Sequence, residues 1–216
     1  MTSEGDSGQR TKVCVLDYGS GNVKSVFNLF AALSETVVSN EPTTMAEATH
    51  IVLPGVGAFA ASMRRIRDKI PMDALQDQVF GARKPFLGVC VGMQVLADEG
   101  NEFGKCDGLG WISGTVDRLD TAGLPLPHIG WNDLSIREQH PLLEGLGAAP
   151  DFYYVHSYVF NPADETAVLA KSQFGTEFTA AIRQDNILGV QFHPEKSQRA
   201  GIRLARNFLA MPAAPL

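Results

Sequence analysis

Between Lys12 and Leu96 the apolar positions keep two alternating rhythms. Lys12-Val13-Cys14-Val15-Leu16-Asp17-Tyr18 is a near-continuous apolar run, the pattern of a strand buried on both faces. Gly19-Ser20-Gly21-Asn22 turns the chain, and Val23, Val26, Phe27 and Phe30 then recur at helical spacing. Thr36 to Ser39 and Ile51 to Leu53 predict short strands, the second stopped by Pro54-Gly55. A helical region is expected from about Ala58 to Phe80, broken near Pro71. Phe86 to Val89 predicts a fourth strand, and Val91 to Leu96 the opening of another helix. Strand and helix alternating at this spacing predict βαβ units and a parallel sheet.

The second half is richer in strand patterns. Trp111 to Leu119, His128 to Ile136, Phe152 to Phe160 and Ala167 to Lys171 are candidates. Phe178 to Arg183 and Ile187 to Phe192 flank Gln184-Asp185-Asn186, a hairpin-turn sequence. Ser197 to Ala210 predicts a closing helix with Ile202, Ala205 and Leu209 on one face. The fold class expected is α/β: a central, mostly parallel sheet flanked by helices, with extra antiparallel strands in the second half. Residues 11–211 are expected to form a single domain. The polar residues 1–10 are expected to be a disordered tail, and Pro212 to Pro215 a frayed end.

Composition narrows the class. The chain has 216 residues, 44% apolar and 19% charged, enough to bury a sizeable core without staples. A net charge of −6 without blocks of like charge argues against nucleic acid as a main partner. No apolar run of about 18 residues suggests a membrane span, and the N-terminal stretch lacks the apolar core of a secretory signal. Cys14, Cys90 and Cys106 are odd in number and widely spaced, which fits a reducing cytoplasm better than a disulfide framework. No C-x-x-C or H-E-x-x-H supports a metal site, and no cofactor is expected.

The candidate chemistry centres on Gly88-Val89-Cys90-Val91-Gly92-Met93-Gln94. G-x-C-x-G matches the strand-to-helix nucleophile elbow G-x-S-x-G with sulfur in place of oxygen. Its glycines permit a tight turn and close helix–strand packing. At a helix N-terminus the thiolate is favoured, and the Val91 amide is expected to point outward as an oxyanion donor. The frame alone fits a nucleophile and a structural cysteine alike. Pro54-Gly55-Val56-Gly57-Ala58-Phe59 offers backbone donors after another strand. Its fit to the dinucleotide fingerprint is weak, because it follows the third strand rather than the first and no completing acid follows. Among five histidines, His193 stands out in Gln191-Phe192-His193-Pro194-Glu195-Lys196-Ser197. Pro194 favours an extended His193, and residues two apart in extended chain share a side, so Glu195 can orient the imidazole. The H-x-E string lacks the P-C-x-x-C of the zinc deaminases.

Taken together, G-V-C-V-G-M-Q and the late H-P-E resemble the class I, triad-type glutamine amidotransferases over nearly the whole chain, Lys12 to Leu209. P-G-V-G-A-F, P-H-I-G-W-N (Pro127 to Asn132), Y-V-H-S-Y (Tyr154 to Tyr158) and Q-F-H-P-E-K-S narrow the resemblance to the glutaminase subunits of imidazole glycerol phosphate synthase, in histidine biosynthesis. The resemblance implies a Cys90–His193–Glu195 triad that hydrolyses glutamine to glutamate and ammonia. It implies an oxyanion hole of the Gly57 and Val91 amides, and substrate contacts at Gln94, Glu102, Ser157 and Tyr158. It also implies a heterodimer with a (β/α)₈-barrel cyclase subunit, reached through Asn22, Trp131 and Lys196. That partner receives the ammonia and makes imidazole glycerol phosphate and an aminoimidazole carboxamide ribotide. Family glutaminases are nearly idle until the cyclase holds its ligand. The alternatives are a glutaminase serving another ammonia-using synthase, a freestanding γ-glutamyl hydrolase and a non-catalytic module of the same descent.

Overall fold

The computed structural model describes residues 11–212, so the expected tail 1–10 and the end from residue 213 lie outside the described residues. An eight-stranded sheet forms the centre. Its order is β2 (Glu35–Val38), β1 (Lys12–Val15), β3 (His50–Leu53), β4 (Phe86–Val89), β14 (Ile187–Val190), β13 (Thr176–Gln184), β12 (Val168–Phe174) and β9 (Ser135–Ile136). From β2 to β14 neighbours are parallel, and from β14 to β9 they are antiparallel. Every residue of β3, β4 and β14 is buried, which explains why these strands read as unbroken apolar runs. β13 and β14 join through Asp185-Asn186, with Asp185 at φ 53°, as a tight hairpin turn requires.

Helices α1 (Val23–Ala31), α2 (Pro42–Glu47), α3 (Phe59–Lys69), α4 (Met72–Gln76), α5 (Val91–Gln94) and α6 (Gln198–Leu209) complete the layers. A second sheet orders β11 (Tyr158–Pro162), β7 (Gly114–Arg118), β5 (Glu99–Gly100) and β6 (Cys106–Asp107). The pair β8 (His128–Asp133) and β10 (Asp151–His156) stands apart as an antiparallel ribbon. This is the expected α/β class: in the central sheet β1 to β4 of the first half are parallel, joined by the late β14, and the antiparallel strands come from the second half. Among the described residues no helix is long and apolar enough to cross a membrane.

Several expectations change at the edges. The strand expected from Trp111 begins only at Gly114, because the Trp111 and Ile112 amides bond the Leu96 carbonyl instead. The strand expected from Phe152 to Phe160 breaks at Ser157 into β10 and β11, which join different sheets. In α6 the buried face is Gly201, Leu204, Ala205 and Phe208, whereas Ile202 is exposed, contrary to the face expected. α2, started by Pro42, had no apolar period to announce it beyond the buried Met45.

Candidate active site

β4 delivers Cys90 at its C-terminal end, where open α/β sheets place their ligand-binding groups. Cys90 has φ 56° and ψ −111°, a backbone conformation rarely adopted by a side chain with a Cβ. The elbow tolerates it because the turn is packed to contact. A Cβ on Gly92 would stand 1.9 Å from the Leu53 carbonyl oxygen. α5 is only four residues long, not the helix to Leu96 that the sequence predicts, so little macrodipole reaches the sulfur.

β14 lies parallel to β4 in the register Val89↔Val190, and the Cys90 amide donates to the Val190 carbonyl at 2.7 Å. Gln191 therefore falls abreast of Cys90, and its Nε2 approaches Cys90 Sγ at 3.6 Å. His193 follows two residues later, extended at φ −103° and ψ 93° as Pro194 favours. Its Nδ1 meets Glu195 Oε1 at 2.7 Å, with both side chains wholly buried. The two do not share a side through extended backbone, as expected, since Pro194–Lys196 is a 3₁₀ turn that carries Glu195 back under the ring. Burial opposes the imidazolium. The Cys90 sulfur and the Glu195 carboxylate outweigh it and hold the His193 pKa well above the ordinary range. Among the described residues His193 Nε2 makes no regular hydrogen bond.

A cavity of about 270 Å³ opens over the sulfur. It is lined by Cys90, Gly57, Val91, Gln94, Glu102, Ser157 and Tyr158, so it gathers every residue expected for the oxyanion and the substrate. Their present partners are specific. Glu102 Oε2 accepts the Phe59 amide at the start of α3, 2.7 Å. Gln94 is buried, its Nε2 bonding the Tyr158 carbonyl at 2.9 Å and Gln191 Oε1 at 3.0 Å. Gly57, at φ 101°, lies in open space. The Val91 amide does not point outward as expected: it donates to the Gly55 carbonyl at 3.3 Å. The Val56 amide, on the same peptide unit as that carbonyl, donates to Ser20 Oγ at 2.9 Å. Ser20 in turn donates to Asn22 Oδ1, and Asn22 Nδ2 donates to Glu195 Oε1 at 3.3 Å.

Of the expected partner-facing residues, Trp131 is 46% exposed on β8 and stacks edge-on near Tyr153. Lys196 is exposed, its Nζ 5.5 Å from the Tyr153 ring centre. The Asn22 side chain is buried, its Nδ2 donating to Glu195 Oε1. Sequence reasoning missed Gln191 and His156. The signal for Gln191 was a polar residue inside the apolar run Gly189 to Phe192.

These features bring a cysteine, a histidine and a carboxylate together at an elbow of the parallel sheet. A family model described as "Glutamine amidotransferase class-I" matches residues 14–211, and the chain belongs to that family. A relative named imidazole glycerol phosphate synthase subunit HisH, from Rhodospirillum rubrum, is 44% identical over 92% of this chain and 98% of its own. The protein of that name from Zymomonas mobilis is 44% identical over 91% and 94%, and the Campylobacter jejuni subunit HisH 1 is 39% identical over 92% and 100%. Among solved structures, one described as a glutamine amidotransferase superposes with TM-score 0.71 at 24% identity, covering 91% of this chain and 96% of its own. A glutamine amidotransferase from Thermotoga maritima gives 0.62 at 15% identity, covering 92% and 82%. Both share the fold.

Proposed function

We propose that the chain is the glutaminase subunit of an imidazole glycerol phosphate synthase, working in histidine biosynthesis with a barrel-type cyclase as its heterodimeric partner. The observation that carries the reading is Cys90, which lines the cavity and neighbours the buried His193–Glu195 pair. The names of the similar proteins support the particular synthase.

Cys90 thiolate attacks the carboxamide carbon of glutamine. The tetrahedral oxyanion is held by backbone amides of Val91 and Gly57. His193 gives its proton to the leaving ammonia, and the γ-glutamyl thioester remains on sulfur. His193 then takes a proton from water, which attacks the thioester and releases glutamate. Glu195 keeps the imidazole aligned and offsets its charge. Gln94, Glu102, Ser157 and Tyr158 hold the substrate in the cavity, and ammonia leaves toward the cyclase. In the resting arrangement the Gly55 carbonyl occupies the Val91 amide, so the Pro54–Gly57 loop must turn before the oxyanion hole is complete. This accounts for a glutaminase that idles until its partner acts.

Cys90→Ala, reconstituted with the cyclase, is expected to lose glutamine-dependent synthesis and to retain ammonia-dependent synthesis. Continued turnover on glutamine would remove Cys90 as the nucleophile.

A further inference from the structure

The polar groups behind Cys90 form a chain whose direction can be read donor by donor. Asn132 Nδ2 donates to the Gln173 carbonyl at 2.8 Å and lies 3.3 Å from His128 Nε2. His128 Nδ1 lies 3.0 Å from His156 Nε2, and His156 Nδ1 lies 3.1 Å from the Tyr158 carbonyl oxygen. A carbonyl only accepts, so His156 carries its proton on Nδ1 and its Nε2 accepts from His128. His128 Nε2 is then free to accept from Asn132. Both rings are neutral in this arrangement, in keeping with burial, which lowers the pKa of His128 to about 4 and of His156 to about 3. The Tyr158 carbonyl takes its second donor from Gln94 Nε2, and that same amide nitrogen donates to Gln191 Oε1. With Oε1 engaged, Gln191 can turn only its Nε2 toward Cys90 Sγ. Gln191 is 0% exposed and Gln94 3%, so neither amide has free water as an alternative.

We infer that Gln191 is a positioning residue of the proposed reaction: its side-chain N–H holds the Cys90 sulfur and stabilises the thiolate. The Tyr158 carbonyl, which can only accept, determines through Gln94 which end of its amide faces the sulfur. An N–H favours the charged sulfur, whereas a flipped amide would set its oxygen against it. The inference rests on Cys90 being the nucleophile, but its test does not need glutamine.

Gln191→Met keeps the volume and removes the donor. Iodoacetamide alkylation of Cys90, followed by peptide mapping across pH, reads the thiolate directly. The ionisable groups around the sulfur, His193, Glu195, Glu102, His156 and Tyr18, are left in place. The expected result is a midpoint raised by about one pH unit. In the complex with the cyclase, kcat on glutamine should fall about tenfold with KM little changed. An unshifted midpoint in a folded variant overturns the proposal. Should Gln191→Met not fold, the unaltered ¹⁵N-labelled protein decides. The Gln191 side-chain amide resonance is expected to titrate with the Cys90 alkylation midpoint, and a resonance that does not follow it overturns the proposal. Cys90→Ala, which asks whether glutamine turnover needs the thiol at all, fails or succeeds independently.

Discussion

His193, His128 and His156 are all buried, yet their surroundings push them in opposite directions. His193 is raised by Cys90 and Glu195 against the cost of burial. The stability it contributes is therefore complete below the unfolded pKa near 6.5 and is lost as pH rises through its folded value. His128 and His156 are lowered by burial, to about 4 and about 3. Below pH ~6.5 the unfolded chain binds protons that these rings refuse, so stability is lost as pH falls toward about 4. Urea midpoints measured against pH should therefore peak near neutrality. Replacing both His128 and His156 with Asn should flatten the acid limb, and His193→Asn should flatten the alkaline limb. A wild-type midpoint independent of pH between 4 and 6.5 would show that the pair is not held neutral by the fold. At this scale the sequence was legible where a residue announces its chemistry by its neighbours. Cys90 between glycines and His193 before Pro-Glu are such cases. Gln191 showed only as a polar residue in an apolar run and His156 not at all, because Cys90 and His128, the groups they meet, lie 101 and 28 residues away in the chain.

At the scale of elements, the strand β4, the elbow and α5 act as one unit. A Cβ on Gly88 would stand 2.4 Å from the Gly92 carbonyl oxygen, and one on Gly92 1.9 Å from that of Leu53. Both obstacles are backbone, which cannot swing aside as a flexible side chain would. Gly92→Ala should push α5 away from β3, costing about 1–3 kcal/mol in a urea melt. The same variant should slow Cys90 alkylation at fixed pH, because the sulfur moves with the elbow. An alanine that is neutral in both measurements would mean that the close approach is not required. The need for glycine here is local, and it was readable as G-x-C-x-G. The length of α5 was not. Val95 and Leu96 continue the apolar pattern, but amides of Leu109, Gly110, Trp111 and Ile112 take the carbonyls of Val95, Ala97 and Leu96. A loop more than a dozen residues away ends the helix by supplying the donors that another helical turn would have supplied.

At the scale of the whole molecule, the β8–β10 ribbon carries the exposed apolar residues Ile129, 58% exposed, and Trp131, 46% exposed. Lys196, one residue past Glu195, sits over Tyr153 on the same ribbon. The His193–Glu195 segment and the exposed aromatic face thus adjoin. If the barrel cyclase docks there, Trp131→Ala should weaken the complex by roughly ten- to a hundredfold in Kd, since a Trp anchor at an interface centre contributes on the order of 1.4–3 kcal/mol. A calorimetric titration with unchanged Kd would remove Trp131 from the interface. Ammonia-dependent synthesis by the cyclase alone should be unaffected, which separates binding from chemistry.

Most of the strands, though not β5 and β6, most of the helices and the Cys90 and His193–Glu195 frames were written in local patterns: apolar period, turn residues, and the glycines and proline that constrain a few dihedrals. Those are short-range causes, and sequence alone carries them. What brings the halves together is pairing between strands about 100 residues apart, in the register Val89↔Val190. That register sets Gln191 beside Cys90 and starts the turn that seats His193 on Glu195. A slip by one residue would reverse the faces of β14 and send Gln191 away from the sulfur. No local pattern specifies such a register. It is chosen by the whole core, in which β4 and β14 lie wholly buried side by side and bring the Cys90 elbow, Gln191 and the His193–Glu195 turn to one end of the sheet.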